Sequence, residues 1–317
     1  MGNGASVRAS SDNKSRTWLC AVDGSSKAHE AFLAMMALRG SGDHVIIFHA
    51  YIEHQSQLQI TPEHVAVRVK YENELSKVFS LPPESYSFAW EDRRERTLRE
   101  TLLDMLFEMD ENAEDSARDN APPAQAQAVQ TQSVTVRRKP NFVILGYAGQ
   151  NFSVGPTEGK HLGSVADLAM RSVRIPIVMI KKSVPLETRN YVMAVNGSEL
   201  SRNGFNTLLG MVKSTDTLLC VQVLKSKTQA DGTVVVDASA QEHYEKALVD
   251  AGIKGGRFLT LNTDIAVKSI ADCLIEYVNE LKPDFFALAP RSSRELSSIT
   301  ELMIKSVHAS IILCKHK

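Results

Sequence analysis

Short runs of apolar residues punctuate this chain, each followed by a polar turn and a stretch with helical periodicity. Leu19–Val22 runs into Asp23-Gly24-Ser25, after which Ala28, Phe32, Met35 and Met36 recur at helical spacing. Val45–Phe48, Phe142–Leu145 and Ile177–Ile180 are further apolar runs without polar alternation, the pattern of strands buried on both faces of a sheet. Thr97–Met109 (TLRETLLDMLFEM) reads as an amphipathic helix. Later in the chain the runs return as Val192–Val195, Leu218–Leu224, Phe285–Leu288 and Ile311–Cys314. Strands separated by helical stretches predict βαβ units and parallel pairing. The fold class expected is α/β, with two tandem doubly wound (Rossmann-like) domains, each a mainly parallel five-stranded sheet flanked by helices.

The recurrence is a duplication. WLCAVDGSSKAHEAFLAMMALRGSGDHVIIFHA from Trp18 aligns without a gap on YVMAVNGSELSRNGFNTLLGMVKSTDTLLCVQV from Tyr191, an offset of 173 residues. Ala21, Val22, Gly24, Ser25, Phe32 and Asp43 meet Ala194, Val195, Gly197, Ser198, Phe205 and Asp216. Two more pairs extend the match: NFVILG from Asn141 with DFFALA from Asp284, and RSVRIPIVMIKK from Arg171 with KSVHASIILCKH from Lys305. The expected division is a flexible arm at 1–16, a first domain at 17–182, a linker at 183–188 and a second domain at 189–317. Asn112–Lys139 contains no Leu, Ile or aromatic residue, so it is expected to be a disordered insertion in the first domain.

Composition narrows the chemistry. The 317 residues carry 36 Lys+Arg against 37 Asp+Glu, a balance that argues against general nucleic-acid binding. No apolar window is long enough to span a bilayer, and the N-terminus lacks the apolar core of a secretory signal. Cys20, Cys220, Cys273 and Cys314 stand singly, without CxxC spacing, as expected for reduced thiols of a cytoplasmic protein. The histidines show no metal-ligand spacing, and His49 reads as a packed polar residue at a strand end. There is neither a GxxxxGK[ST] loop nor a GxSxG elbow, so no catalytic residue and no metal ligand is assigned.

Ligands of open parallel sheets bind beyond the carboxyl ends of the strands. Two segments of the first copy lie there: the Asp23-Gly24-Ser25 turn, and Gly146-Tyr147-Ala148-Gly149 with Gly163-Ser164-Val165 further on. Glycines at a strand end let backbone approach an anion, and Ser164 is expected to cap the helix that follows. These residues resemble the universal stress protein family, adenine-nucleotide-binding α/β proteins, and the resemblance covers most of the chain as two copies. Val22–Ser25 matches the family's VDGS, Pro176–Ile180 its closing strand, and the glycines its G-x2-G-x9-G-[ST] signature, with thirteen residues in place of nine before Gly163.

The resemblance implies that Asp23 hydrogen-bonds adenine, that Gly146 and Gly149 line the ribose-phosphate loop, and that Gly163, Ser164 and Val165 hold the phosphates of ATP or AMP, with magnesium accompanying ATP. It also implies that Ile177–Ile180 and Ile311–Cys314 pair as partners of an intramolecular pseudo-dimer; further homo-oligomerisation is left open. The second copy departs from the pattern. Asn196 replaces Asp23, and Ala289-Pro290-Arg291-Ser292 replaces the glycine loop, so that copy is expected to be structural. The expected function is therefore a nucleotide-binding stress or signalling module and not a metabolic enzyme; a scaffold without nucleotide and a slow ATPase are the competing readings. Met1-Gly2-Asn3-Gly4-Ala5-Ser6 fits an N-myristoylation pattern on Gly2, which by itself would give weak, reversible membrane contact.

Overall fold

The structure is a computed structural model that describes residues 15–51, 62–92, 100–102, 106, 138–147, 163–225, 238–263, 268–291 and 296–315. The N-terminal segment before Ser15, most of the 112–139 insertion and most of the 97–109 helix lie outside these residues. The first half contains β1 (Thr17–Ala21), α1 (Ser26–Leu38), β2 (His44–Tyr51), α2 (Pro62–Asn73), β3 (Tyr86–Asp92), β4 (Phe142–Gly146), α3 (Ser164–Ser172) and β5 (Ile177–Ile180). The second repeats the order with β6 (Asn190–Val195), α4 (Glu199–Leu209), β7 (Thr217–Lys225), α5 (Ala238–Asp250), β8 (Gly255–Thr263), α6 (Ile270–Leu281), β9 (Phe285–Leu288), α7 (Ser298–Ser306) and β10 (Ser310–Leu313).

Among the described residues one ten-stranded sheet runs β3-β2-β1-β4-β5-β10-β9-β6-β7-β8. Each half is a five-stranded parallel sheet whose first strand sits in the middle, the doubly wound order. The halves meet where β5 and β10 pair antiparallel, Met179 opposite Ile311, Val178 opposite Ile312 and Ile177 opposite Leu313. This contact gives each of two otherwise open edges a partner. Side chains alternate across the strands, so each face of the sheet has its own apolar layer. Trp18 and Cys20 pack with Phe32 and Met35 of α1 on one face. Leu19 packs on the other face with Met170 of α3, alongside Phe286 and Ile304 from the second half.

Several basic side chains fasten the halves to each other, Lys182 on the Pro283 carbonyl and Arg171 on Glu301 among them, and four of them come as two duplicated pairs. Arg16 forms an ion pair with Asp43 (Nη2–Oδ2 3.2 Å) and donates from Nη1 to the Gly210 carbonyl at the end of α4. Its counterpart Arg189 pairs with Asp216 (3.1 Å) and donates from Nη1 to the Ala37 carbonyl in the last turn of α1. Lys181 Nζ donates to the carbonyls of Ile304 and Val307 at the end of α7. Lys315, its counterpart, donates to those of Met170 and Val173 (2.7 Å to Val173) at the end of α3. The last carbonyls of a helix lack intrahelical partners and carry the negative end of its dipole, so a cation there satisfies both. Each half thus supplies the C-terminal caps of the other. Arg16, at the border of the expected arm, is fixed by these bonds.

Candidate functional site

The carboxyl end of β1 forms a tight turn before α1. Asp23 Oδ1 accepts a hydrogen bond from the Ser25 amide (2.9 Å), and Gly24 has φ +82°, a left-handed conformation that glycine adopts without a steric penalty. Ser25 caps α1, its hydroxyl accepting from the Ala28 amide at 3.1 Å. The second copy builds the same turn with an amide in place of the carboxylate: Asn196 Oδ1 accepts from the Ser198 amide (3.1 Å), Gly197 has φ +73°, and Ser198 caps α4. An acceptor oxygen at this position is therefore what the turn requires, and the negative charge of Asp23 is an addition of the first copy.

β4 lies beside β1, with Cys20 opposite Ile144, so Gly146 ends on the same edge as the Asp23 turn. The next amide, that of Tyr147, donates to the Ile180 carbonyl (2.9 Å). The Gly163 amide donates to the Tyr147 carbonyl at 2.8 Å, and α3 begins at Ser164. Gly149 and the residues up to Leu162 lie outside the described residues. Their number does not alter the site's frame, because the hydrogen bond between Gly163 and Tyr147 closes the loop at its base. The thirteen-residue spacing therefore leaves the N-terminus of α3 beside the end of β4.

The capping expectation is corrected here. Ser164 is the first residue of α3, not its cap; Gly163 holds the cap position, in extended backbone, and offers no side-chain hydrogen bond. The other described caps are different. α1, α4, α6 and α7 are each capped by a serine hydroxyl, from Ser25, Ser198, Ser269 and Ser297 respectively. In the second copy Ser297 accepts from the Thr300 amide (3.2 Å), so the α7 N-terminus is satisfied within the chain. Pro290 there is buried and Arg291 exposed.

Two features beneath the site have no sequence signature. His49 is buried, two residues inside β2 and not at its end; its Nδ1 lies 2.8 Å from the Val22 carbonyl and its Nε2 2.9 Å from Nδ1 of His64 on α2. Burial lowers its pKa, the Val22 carbonyl opposes that, the neighbouring His64 adds to it, and Asp23 opposes it. Neutral His49 then donates from Nδ1 to Val22 and accepts at Nε2 from His64. Tyr71 of α2 is fully buried, and its hydroxyl has no hydrogen-bond partner among the described residues. Its counterpart Tyr244 lies 2.9 Å from Ser201 Oγ. Ala28 stands where the second copy has Ser201. Ala28→Ser should therefore give Tyr71 the partner Tyr244 already has, raising stability by about 1 kcal/mol in chemical denaturation.

No three potential metal-ligating side chains cluster among the described residues, and no helix among them is long and apolar enough to cross a membrane.

No protein-family model and no curated protein matches the chain. Solved structures do. A protein assigned as a universal stress protein from Pseudomonas aeruginosa UCBPP-PA14 superposes with TM-score 0.57 at 12% identity, covering 95% of this chain and 94% of that one. A universal stress protein from Archaeoglobus fulgidus DSM 4304 gives 0.53 at 13% identity, over 96% of this chain and 100% of the other. The cytoplasmic domain of a prokaryotic cation chloride cotransporter gives 0.51 at 10% identity, with 96% of both chains covered. The chain thus has the tandem α/β fold of universal stress proteins.

Proposed function

We propose that the first half binds ATP or AMP at the carboxyl edge of its sheet and that the second half serves as its structural partner. The observation that carries this reading is the N-terminus of α3, which has no side-chain cap among the described residues. The serine-capped helices satisfy one of their free amides internally, whereas α3 opens with Gly163 beside the end of β4. Amides and a positive dipole end placed there suit phosphate. In the proposed complex Gly146 and Gly149 line the ribose-phosphate loop, the Gly163, Ser164 and Val165 backbone holds phosphate, and Asp23 accepts from the adenine amino group. Magnesium would neutralise phosphate charge when ATP is bound. The protein acts as a nucleotide-responsive module in stress or signalling, not as a metabolic enzyme, and resides in the cytoplasm. Gly2 is the lipidation candidate for weak membrane contact; it lies outside the described residues.

The Asp23 turn, repeated with Asn196, favours one alternative specifically: a scaffold in which the turn serves folding alone. Isothermal titration with ATP and AMP separates the two. Wild type is expected to bind saturably and Asp23→Asn, which keeps the turn but sets an amide donor against the adenine amino group, to bind less tightly. Asp23→Ala should lose about ten-fold or more. Absence of saturation at millimolar nucleotide leaves the scaffold reading standing, and turnover of ATP well above background would overturn the non-enzyme reading.

A further inference from the structure

A cleft of about 360 Å³ opens between the halves at the amino ends of β1, β4 and β5, on the opposite edge of the first half-sheet from the Asp23 turn. That volume lies at the lower end of small-molecule pockets. Its polar wall carries Arg16, Arg174 and Lys315, together with Asn141 and Asn206; Phe142, Ile175 and Pro176 give it an apolar side. Arg16 is matched by Asp43, and Lys315 caps α3. Arg174 is different: its guanidinium is exposed and makes no hydrogen bond or ion pair among the described residues. Asn141 uses only Oδ1, which accepts from the Thr17 amide at 2.8 Å, so its amide donors are uncommitted among those residues. The carboxylates there, Asp43 and Asp216, are each already paired with an arginine.

The duplication supplies an internal control. At the corresponding place on the other flank of the junction, Leu33 and Ala34 replace Asn206 and Thr207, and His308 replaces Arg174. Arg189 there is fully buried, whereas its counterpart Arg16 keeps 27% of its side chain exposed. On one flank the arginine is thus closed over, with Asp284 and Ser310 where the cleft has Asn141 and Pro176, while the other flank is open and lined with donors. Folding alone does not require the open arrangement, because the closed one forms in the same molecule.

We propose that this cleft binds a small organic anion, its phosphate or carboxylate on Arg174 and the Asn141 and Asn206 amides, its apolar part against Phe142, Ile175 and Pro176. A guanidinium with uncommitted donors suits a bidentate contact to either oxyanion. Phenyl phosphate is the probe, titrated calorimetrically against the full chain. Saturable binding is expected in wild type, with phenol binding far more weakly. Arg174→Glu should weaken phenyl phosphate about ten-fold or more. Asn206→Leu, which copies Leu33 from the closed flank, should weaken it as well; both residues are exposed, so both variants should fold. Asp23→Ala should leave the affinity unchanged, which separates this cleft from the nucleotide site. The proposal is overturned if millimolar phenyl phosphate fails to saturate, if phenol binds equally well, if both cleft variants bind like wild type, or if Asp23→Ala abolishes binding.

Discussion

Replacing Asp216 by alanine is expected to destabilise the chain by about 3–5 kcal/mol, the range for removing one partner of a buried ion pair. Both side chains are 0% exposed. Asp216 accepts from the Arg189 backbone amide (3.0 Å), from Nε and Nη2 of the same residue (both 3.1 Å), and from the Lys213 amide (2.8 Å). Its loss strands a guanidinium that water cannot reach, while the Ala37 carbonyl of α1 still depends on that guanidinium. The first-half pair offers the comparison. Asp43 accepts from the Arg16 amide, from Arg16 Nε, from Trp18 Nε1 (2.9 Å) and from the Gly40 amide (2.8 Å). Arg16, being 27% exposed, can turn to solvent, so Asp43→Ala should cost less. Urea denaturation of both variants checks this. A loss below about 1 kcal/mol in Asp216→Ala would mean that the pair contributes little. Replacing Arg189 and Asp216 together by Met and Leu should recover much of the loss, because the orphaned charge goes with its partner.

What the sequence made legible follows from burial. Strands covered on both faces are written as unbroken apolar runs, and the runs at Leu19, Val45, Phe142, Ile177, Val192, Leu218, Phe285 and Ile311 are all strands. The outermost strands, β3 and β8, escaped that reading. They lie at the two ends of the sheet, their residues are largely half-buried, and YSFAWED and GGRFLTLNT carry no continuous apolar run. In α2, Val65, Val67 and Val69 alternate as in a strand, and Val65 and Val69 stay nearly half exposed, which hides the helical period. At the candidate site, the Asp23-Gly24-Ser25 turn could be read because its spacing is local. The cap at α3 was misplaced by one residue because Gly163 and Ser164 both fit a helix start. The burial of Tyr71 beneath the turn could not be read, nor could the His49–His64 contact and the cations that cross between the halves. Their partners lie up to 194 residues away, and only the folded chain defines them.

The two lysine caps should show themselves in alkaline solution. Burial pushes both Lys181 and Lys315 down to about 8 from the ordinary 10.5, so at neutral pH they remain charged and cap α7 and α3. Between pH 8 and 10.5 the unfolded chain holds protons that the folded chain has released, and stability rises with pH by about 1.4 kcal/mol per unit for each lysine. Three buried thiols act in the opposite sense. Burial raises Cys220 and Cys314 to about 12 from 9.0, and burial followed by the charge of Asp23 raises Cys20. Their stabilising effect is complete below pH 9 and is lost as the unfolded thiols ionise above it. Above pH 9 the thiols, joined towards pH 10 by the tyrosines that burial also raises (Tyr71 and Tyr191 among them), pull stability down against the rise from Lys181, Lys315 and the likewise lowered Lys213. Replacing both lysines by methionine removes their opposing rise, so between pH 9 and 10 the fall should steepen by about 1.4 kcal/mol per unit for each lysine removed. At pH 7 the same variant should be less stable than wild type, because the carbonyls of Ile304, Val307, Met170 and Val173 lose charged donors, each such bond being worth about 1.5–3 kcal/mol before the relief of burying no charge is set against it. Denaturation across this pH range, in reducing buffer, tests both statements: an unchanged slope would show that the lysines keep their protons to higher pH, and unchanged stability at pH 7 would show that the caps do not fasten the two halves.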